Sequence, residues 1–146
     1  MKALVIDDER LARTELIRLL EPCKEIEVVG EAVNADDAHN KISELNPDVI
    51  FLDIQMPGKT GFELLEELDS VPKVIFTTAY DEYALKAFEF NALDYLLKPI
   101  EPARLEESIK KLIEGKRKER TQDLPYETLT AEDQVFVKDG DKCWFV

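Results

Sequence analysis

Short apolar runs recur along this chain about once every 20 to 25 residues, each followed by a segment with helical spacing, and this alternation restricts the fold more than any other feature. The runs are Ala3–Ile6, Glu27–Val29, Asp48–Leu52, Lys73–Phe76 and Leu93–Leu97. Between and after them lie the stripes Leu11, Leu16, Ile17 and Leu20; Ala38, Ile42 and Leu45; Phe62, Leu65 and Leu68; and Leu105, Ile109, Leu112 and Ile113. Strands apolar on nearly every residue and separated by helices imply a parallel sheet covered on both faces, with right-handed crossovers. The expectation is a (βα)5 doubly wound α/β fold with five parallel strands. Punctuation agrees: Asn46-Pro47 precedes the third run, Pro72 the fourth, and Glu101-Pro102 opens the last helix, where proline suits the first turn.

In an open parallel sheet, ligands bind outside the carboxyl ends of the strands, near the point where strand order reverses. The polar residues of this chain gather there. Asp7 and Asp8 close the first strand, Asp53 the third, Thr78 follows the fourth and Lys98 the fifth. Carboxylates brought together repel one another, so Asp7, Asp8 and Asp53 make sense chiefly around a hard cation with oxygen ligands, and Mg2+ fits best. Lys98 adds a fixed positive charge and Thr78 a hydroxyl donor, so a phosphoryl group between them would be neutralised on every side. Asp53 is the expected nucleophile and phosphoacceptor, Asp8 a direct metal ligand, and Asp7 a ligand through water.

These residues resemble the receiver domains of response regulators from two-component systems. The resemblance is carried by Asp7-Asp8, by Asp53 with Met56-Pro57-Gly58, by Thr78-Ala79, and by Tyr95 three residues before Lys98-Pro99. It covers residues 2 to about 118 and implies a flavodoxin-like receiver fold. It also implies that the backbone carbonyl of Gln55 joins Asp8 and Asp53 as a metal ligand, that Lys98-Pro99 is cis, and that Tyr95 changes rotamer as Thr78 moves toward a phosphoryl group. A sensor histidine kinase would be the donor, and the chain would act as a switch, catalysing only its own phosphoryl transfer and slow dephosphorylation. The run from Tyr80 to Phe88, continuing from Asn91 to Pro99, looks like the LytTR-type subgroup, whose members bind DNA through a mostly β output domain.

Residues 1–120 are therefore expected to form the receiver and 121–125 a linker. Residues 126–146 would form the N-terminal fragment of a LytTR-type DNA-binding domain. There Val135–Lys138 and Lys142–Val146 flank Asp139-Gly140-Asp141, a turn signal that predicts a β hairpin, truncated at its second strand. DNA would be contacted only through the missing remainder of that domain, because 19 basic against 32 acidic residues leave a net charge of −13 that repels phosphates. The one basic concentration, Lys116 to Arg120, reads as a solvated helix end.

Several residues take plainer readings. Glu9 suits a first helical turn, Thr77 should face away from the site by strand alternation, and His39 lies in a polar helical segment as a surface residue. Cys23 and Cys143 lack metal-ligand spacing and read as free thiols. No apolar run approaches membrane-spanning length and the N-terminal apolar stretch is too short for a secretory signal, so a cytoplasmic protein without membrane contact is expected. A homodimer is expected through a face containing Phe90, Asp94 and Arg104, which offer an apolar centre and a polar rim. Two other classes are weaker. A phosphatase using the same acids would need a general acid and a covering cap, and a flavin module would need a glycine- or hydroxyl-rich phosphate loop where Asp7-Asp8-Glu9 stands.

Overall fold

The computed structural model describes residues 1–122, with side chains through residue 116. Five strands and five helices alternate: β1 (Lys2–Ile6), α1 (Arg10–Leu20), β2 (Glu27–Ala32), α2 (Ala35–Leu45), β3 (Val49–Asp53), α3 (Gly61–Glu67), β4 (Lys73–Thr78), α4 (Ala84–Glu89), β5 (Asp94–Leu97) and α5 (Pro102–Gln122). A short 3-10 turn, Asp81–Tyr83, leads into α4. All neighbouring strands run parallel in the order β2-β1-β3-β4-β5. The fold is thus the flavodoxin-like α/β arrangement expected from the alternation. Stepping from β1 outward to β2 and then back across to β3 reverses direction, so right-handed crossovers put α1 and α2 on opposite faces and open a crevice between β1 and β3.

The core follows the pleat. Leu4 and Ile6, Ile50 and Leu52, Val74 and Phe76 join Ala38 and Ile42 of α2, Phe62 and Leu65 of α3, and Ala87 of α4 in one buried cluster. The alternate residues Ala3, Val5, Phe51 and Ile75 are equally buried and belong to the other face of the sheet. Every residue of β3 is buried, as the unbroken apolar run requires. Helix ends follow their local sequence. Asn34 caps α2 by accepting from the Asp37 N–H, Asn46 ends it in the left-handed region at φ 49°, and Thr60 and Glu63 form a capping box on α3.

Two stripe residues depart from the pattern. Leu11, grouped by spacing with Leu16 and Leu20, is 83% exposed in the first turn of α1, which starts at Arg10, whereas Leu16 and Leu20 are buried. Leu68 is the residue after α3 rather than part of it. The chain divides into two compact units, the first ending at Ser108 and the second beginning at Ile109; among the described residues the second consists of the continuation of α5 to Gln122, in which Ile109 and Leu112 are buried. Residues 123–125 of the expected linker and the expected hairpin at 126–146, with Cys143, lie outside the described residues. No helix among the described residues is long and apolar enough to cross a membrane.

Candidate functional site

The site is built from polar residues at the carboxyl ends of strands whose apolar bodies hold them in place. Asp7 and Asp8 follow β1, Asp53 ends β3, Thr78 ends β4 and Lys98 follows β5. Pairing in register across β1, β3 and β4 aligns those ends, so residues far apart in sequence meet. One carboxylate oxygen from each of Asp7, Asp8 and Asp53 lies within 4.8 Å of the others. Asp7 and Asp53 are buried at 4% and 5% exposure, and Asp8 is the more open. The Lys98 ammonium donates to Asp7 Oδ2 at 2.7 Å and stands 3.7 Å from Asp53 Oδ1. The Lys98-Pro99 peptide is cis, and the Lys98 N–H donates to the Thr78 carbonyl at 2.7 Å.

Three acids share one lysine, and the electrostatics show the imbalance. Burial pushes the Asp53 carboxyl up, the neighbouring Asp7 and Asp8 carboxylates add to the shift, and Lys98 with the Gln55 backbone only partly offsets them; the result is a pKa of about 7. Burial works against the Lys98 ammonium, but the hydrogen bond to Asp7 and the charges of Asp53, Asp7 and Glu9 outweigh it, so its pKa stands above the ordinary value. An all-oxygen donor set with excess negative charge fits a hard divalent cation. Such a cation would also return Asp53 to its ionised form.

Thr78 is fully buried, and its Oγ1 accepts the Tyr80 N–H at 3.2 Å. The Tyr95 hydroxyl donates to the Tyr80 carbonyl. The two expected switch residues are thereby joined through the backbone of one residue. Burial pushes the Tyr95 phenol up. Gln55 is exposed, and its side-chain amide donates to the Tyr83 hydroxyl at 2.6 Å, tying the loop after Asp53 to the turn before α4.

Other expectations fared unevenly. Glu9 caps α1 without a side-chain hydrogen bond, and its N–H donates to Asp7 Oδ1 at 2.9 Å, so Asp7 serves the helix start as well as the acidic cluster. Thr77 does not turn away from the site. It pairs in register with Asp53, is buried, and lines a groove of about 560 Å3 together with Asp7, Lys98, Leu11, Leu16 and Pro99. Register across strands, more than alternation along one, decides which residue lies beside Asp53. His39 is half-buried and stands outside the acidic cluster. Cys23 is a half-buried free thiol.

Phe90, Asp94 and Arg104 are engaged within the subunit. Phe90 stacks on Phe62 with ring centroids 5.1 Å apart, and Arg104 grips Asp94 through two hydrogen bonds of 2.9 and 2.7 Å while Ser108 donates a third. The exposed apolar residues on these elements are Leu85 and Phe88, both 81% exposed, and Leu97 at 46%. Sequence reasoning also missed Gly61. A Cβ there would stand 2.6 Å from the Asp53 carbonyl, so only glycine lets α3 begin against the end of β3. A glycine opening a helical stripe is the signal that could have found it.

Comparison with known proteins agrees with this arrangement. Residues 3–110 match the response regulator receiver domain. The chain is 44% identical over 137 residues to the sensory transduction protein LytT of Bacillus anthracis, covering 90% of this chain and 56% of that protein. It is 47% identical over 127 residues to the transcriptional regulatory protein BtsR of Escherichia coli, covering 86% and 53%. The response regulatory domain of mrkE from Klebsiella pneumoniae superposes with a TM-score of 0.74 at 33% identity, covering 81% of this chain and 99% of that one. The chain spans about half the length of the curated relatives it matches.

Proposed function

Because this chain belongs to the response regulator receiver domain family, with LytTR-type regulators among its relatives, we propose that Asp53 accepts a phosphoryl group from the phospho-histidine of a sensor kinase, with Mg2+ as cofactor. The observation that carries the reading is the meeting of Asp7, Asp8 and Asp53 within 4.8 Å, with Lys98 the only cation that any described ion pair places against them. Asp8, Asp53 and the Gln55 carbonyl would hold the cation directly, and Asp7 through water. When bound, the cation neutralises charge on the transferring phosphoryl oxygens and keeps Asp53 ionised. An Asp53 oxygen attacks phosphorus, the bond from phosphorus to the donor imidazole breaks, and the imidazole leaves with its electron pair. Lys98, held by Asp7, faces the incoming anion as a fixed positive charge.

Thr78 then reports the event. Among the described residues its hydroxyl only accepts, from the Tyr80 N–H, which leaves its own proton to be donated to a phosphoryl oxygen. A shift of Thr78 pulls on Tyr80, whose carbonyl holds Tyr95, and so moves Tyr95 to a new rotamer. A turnover enzyme working on the same acyl phosphate would need a general acid next to Asp53. Gln55, two residues on, offers an amide already committed to Tyr83, which favours a switch.

Self-association through α4, β5 and the start of α5 fits the same reading, with Leu85, Phe88 and Leu97 as the apolar centre around the internally paired Asp94 and Arg104. Sequence-specific DNA contact would belong to an output domain beginning near residue 126, not to the acidic receiver. The groove along Leu11, Leu16 and Pro99, opening beside Lys98, offers a donor protein an apolar seat next to the acceptor.

The deciding experiment treats the chain with a small-molecule phosphodonor, with Mg2+ and with a chelator, and reads the protein mass. Wild type gains a phosphoryl group only with Mg2+, Asp53→Asn gains none while staying folded, and Lys98→Ala retains partial labelling without the Tyr95 response. Equal labelling of Asp53→Asn would overturn the assignment.

A further inference from the structure

We propose that Arg13 is a positioning residue for the cation site, holding the peptide from which Asp8 projects, with Glu31 as its charge partner; the inference rests on the metal reading above. Spacing makes Arg13 look like an ordinary charge on the face of α1, yet its side chain is only 11% exposed. Its Nε donates to Glu31 Oε1 at 2.9 Å, and its Nη1 donates to the Asp7 backbone carbonyl at 2.8 Å. That carbonyl and the Asp8 N–H belong to one planar peptide unit, so fixing the first fixes the plane from which the Asp8 side chain departs.

The other polar groups of Asp7 are tied as well. Its N–H donates to the Ala32 carbonyl at 3.0 Å, Oδ1 accepts from Glu9, and Oδ2 accepts from Lys98. No hydrogen bond from another described residue holds the Asp8 carboxylate, so the restraint on it is the position of the backbone from which it departs. Without that restraint, repulsion from Asp7 and Asp53 would carry the Asp8 peptide away from the other two acids.

The guanidinium is suited to this task in two ways. One rigid plane presents Nε and Nη1 together, which lets a single side chain reach a carboxylate and a carbonyl at once; a lysine ammonium is a point charge without that fork. Glu31 also offsets the guanidinium charge, so the hydrogen bond to Asp7 is made without setting an unbalanced cation near the place where Mg2+ would sit. Glu31 is anchored in turn on β2, where the Lys41 ammonium donates to its carbonyl and pairs with Asp37 at 3.3 Å. Asp37 accepts the Val33 N–H at 3.1 Å. The brace thus runs from α2 through β2 and α1 to the acid pair.

The test titrates the whole chain with Mg2+ alone, following the amide spectrum at Asp8 and Asp53, for wild type, Arg13→Gln, Arg13→Lys, Glu31→Gln and Arg18→Gln. Arg13→Gln and Arg13→Lys should weaken Mg2+ binding about tenfold, in the range that outer partners of metal ligands contribute, and alter the Mg2+-dependent shift of the Asp8 amide. Glu31→Gln should weaken it less. Arg18→Gln removes the same charge from an exposed position on the same helix, 64% exposed, and should leave binding unchanged. Should Arg13→Gln fail to fold, Arg13→Lys, which keeps the charge, carries the test. Wild-type affinity in folded Arg13 variants would sink this inference alone, and so would a loss that merely tracks melting temperature across all four variants. Absence of Mg2+ binding at Asp8 and Asp53 in wild type would remove the metal reading and this inference together.

Discussion

Asp53 and Asp94 are both buried aspartates in one sheet, at the end of β3 and the start of β5, yet their environments drive them in opposite directions. Asp53 sits among two other carboxylates with one lysine 3.7 Å away, and its pKa rises to about 7. At Asp94 burial also favours the neutral acid, but Arg104, the Ser108 hydroxyl and the Tyr95 N–H all donate to it, and its pKa falls well below the usual carboxylate range. Burial is common to both; the supply of donors differs. Asp94 is electrostatically complete and belongs to the framework. Asp53 has a deficit of positive charge that a cation would fill, which supports the phosphoacceptor role proposed above.

Titration gives the sharpest contrast. Asp53 takes up its proton at higher pH in the folded chain than in the unfolded one, so between about pH 4 and about pH 7 the folded state binds more protons and stability falls as pH rises. Without metal, the loss from about pH 5 to about pH 7 should be about 2 kcal/mol, because the slope of about 1.4 kcal/mol per unit is halved as the pKa is reached. Asp53→Asn should flatten it, and Mg2+ should restore stability at the upper end; chemical denaturation across pH measures all three. Asp94 has the opposite sign, contributing stability above the ordinary carboxylate pKa that is lost as pH falls below it. A wild-type profile identical to that of Asp53→Asn would break the comparison.

Removing the donor-rich partner probes the other side. Asp94→Ala should cost about 2–3 kcal/mol, less than a fully buried broken pair because Arg104 is 40% exposed and can turn to water. Phosphorylation of Asp53 should survive it, read by protein mass. Gly61→Ala should cost about 1–3 kcal/mol, since the new Cβ meets backbone that cannot yield cheaply. Unlike Asp94→Ala, it should also slow phosphorylation by displacing the Asp53 carbonyl. Thr60→Ala removes one half of the α3 capping box and should cost about 1 kcal/mol with phosphorylation retained. The last two variants together separate the frame around Asp53 from its chemistry.

Much of the site was legible because a parallel sheet with short crossovers leaves little choice about where strand ends go. Once Ala3–Ile6 and Asp48–Leu52 are strands, Asp7, Asp8 and Asp53 must come out on one edge, and Thr78 and Lys98 with them. The brace at Arg13 and the pair of Asp94 with Arg104 were not legible in the same way. Arg13 reaches Glu31 across 18 positions and Lys98 reaches Asp7 across 91. Nothing in a periodic pattern distinguishes a charge that will be covered from one that stays in water. Arg13 and Arg18 look alike along α1, and only the first lies under the strand ends.

The amino-acid order by itself determined the alternation of strands and helices, the face most apolar residues take and the edge on which the acids gather, because hydrophobic period and strand direction are local properties of the chain. The tertiary structure alone decided which charges are satisfied. It placed Thr77 beside Asp53 through register, opened Leu11 to solvent, gave Asp94 its donors and left Asp53 with too few to offset its acidic neighbours. A carboxylate's proton affinity depends on groups within a few ångströms in space, and those groups come from elements that meet only when the sheet has closed its register.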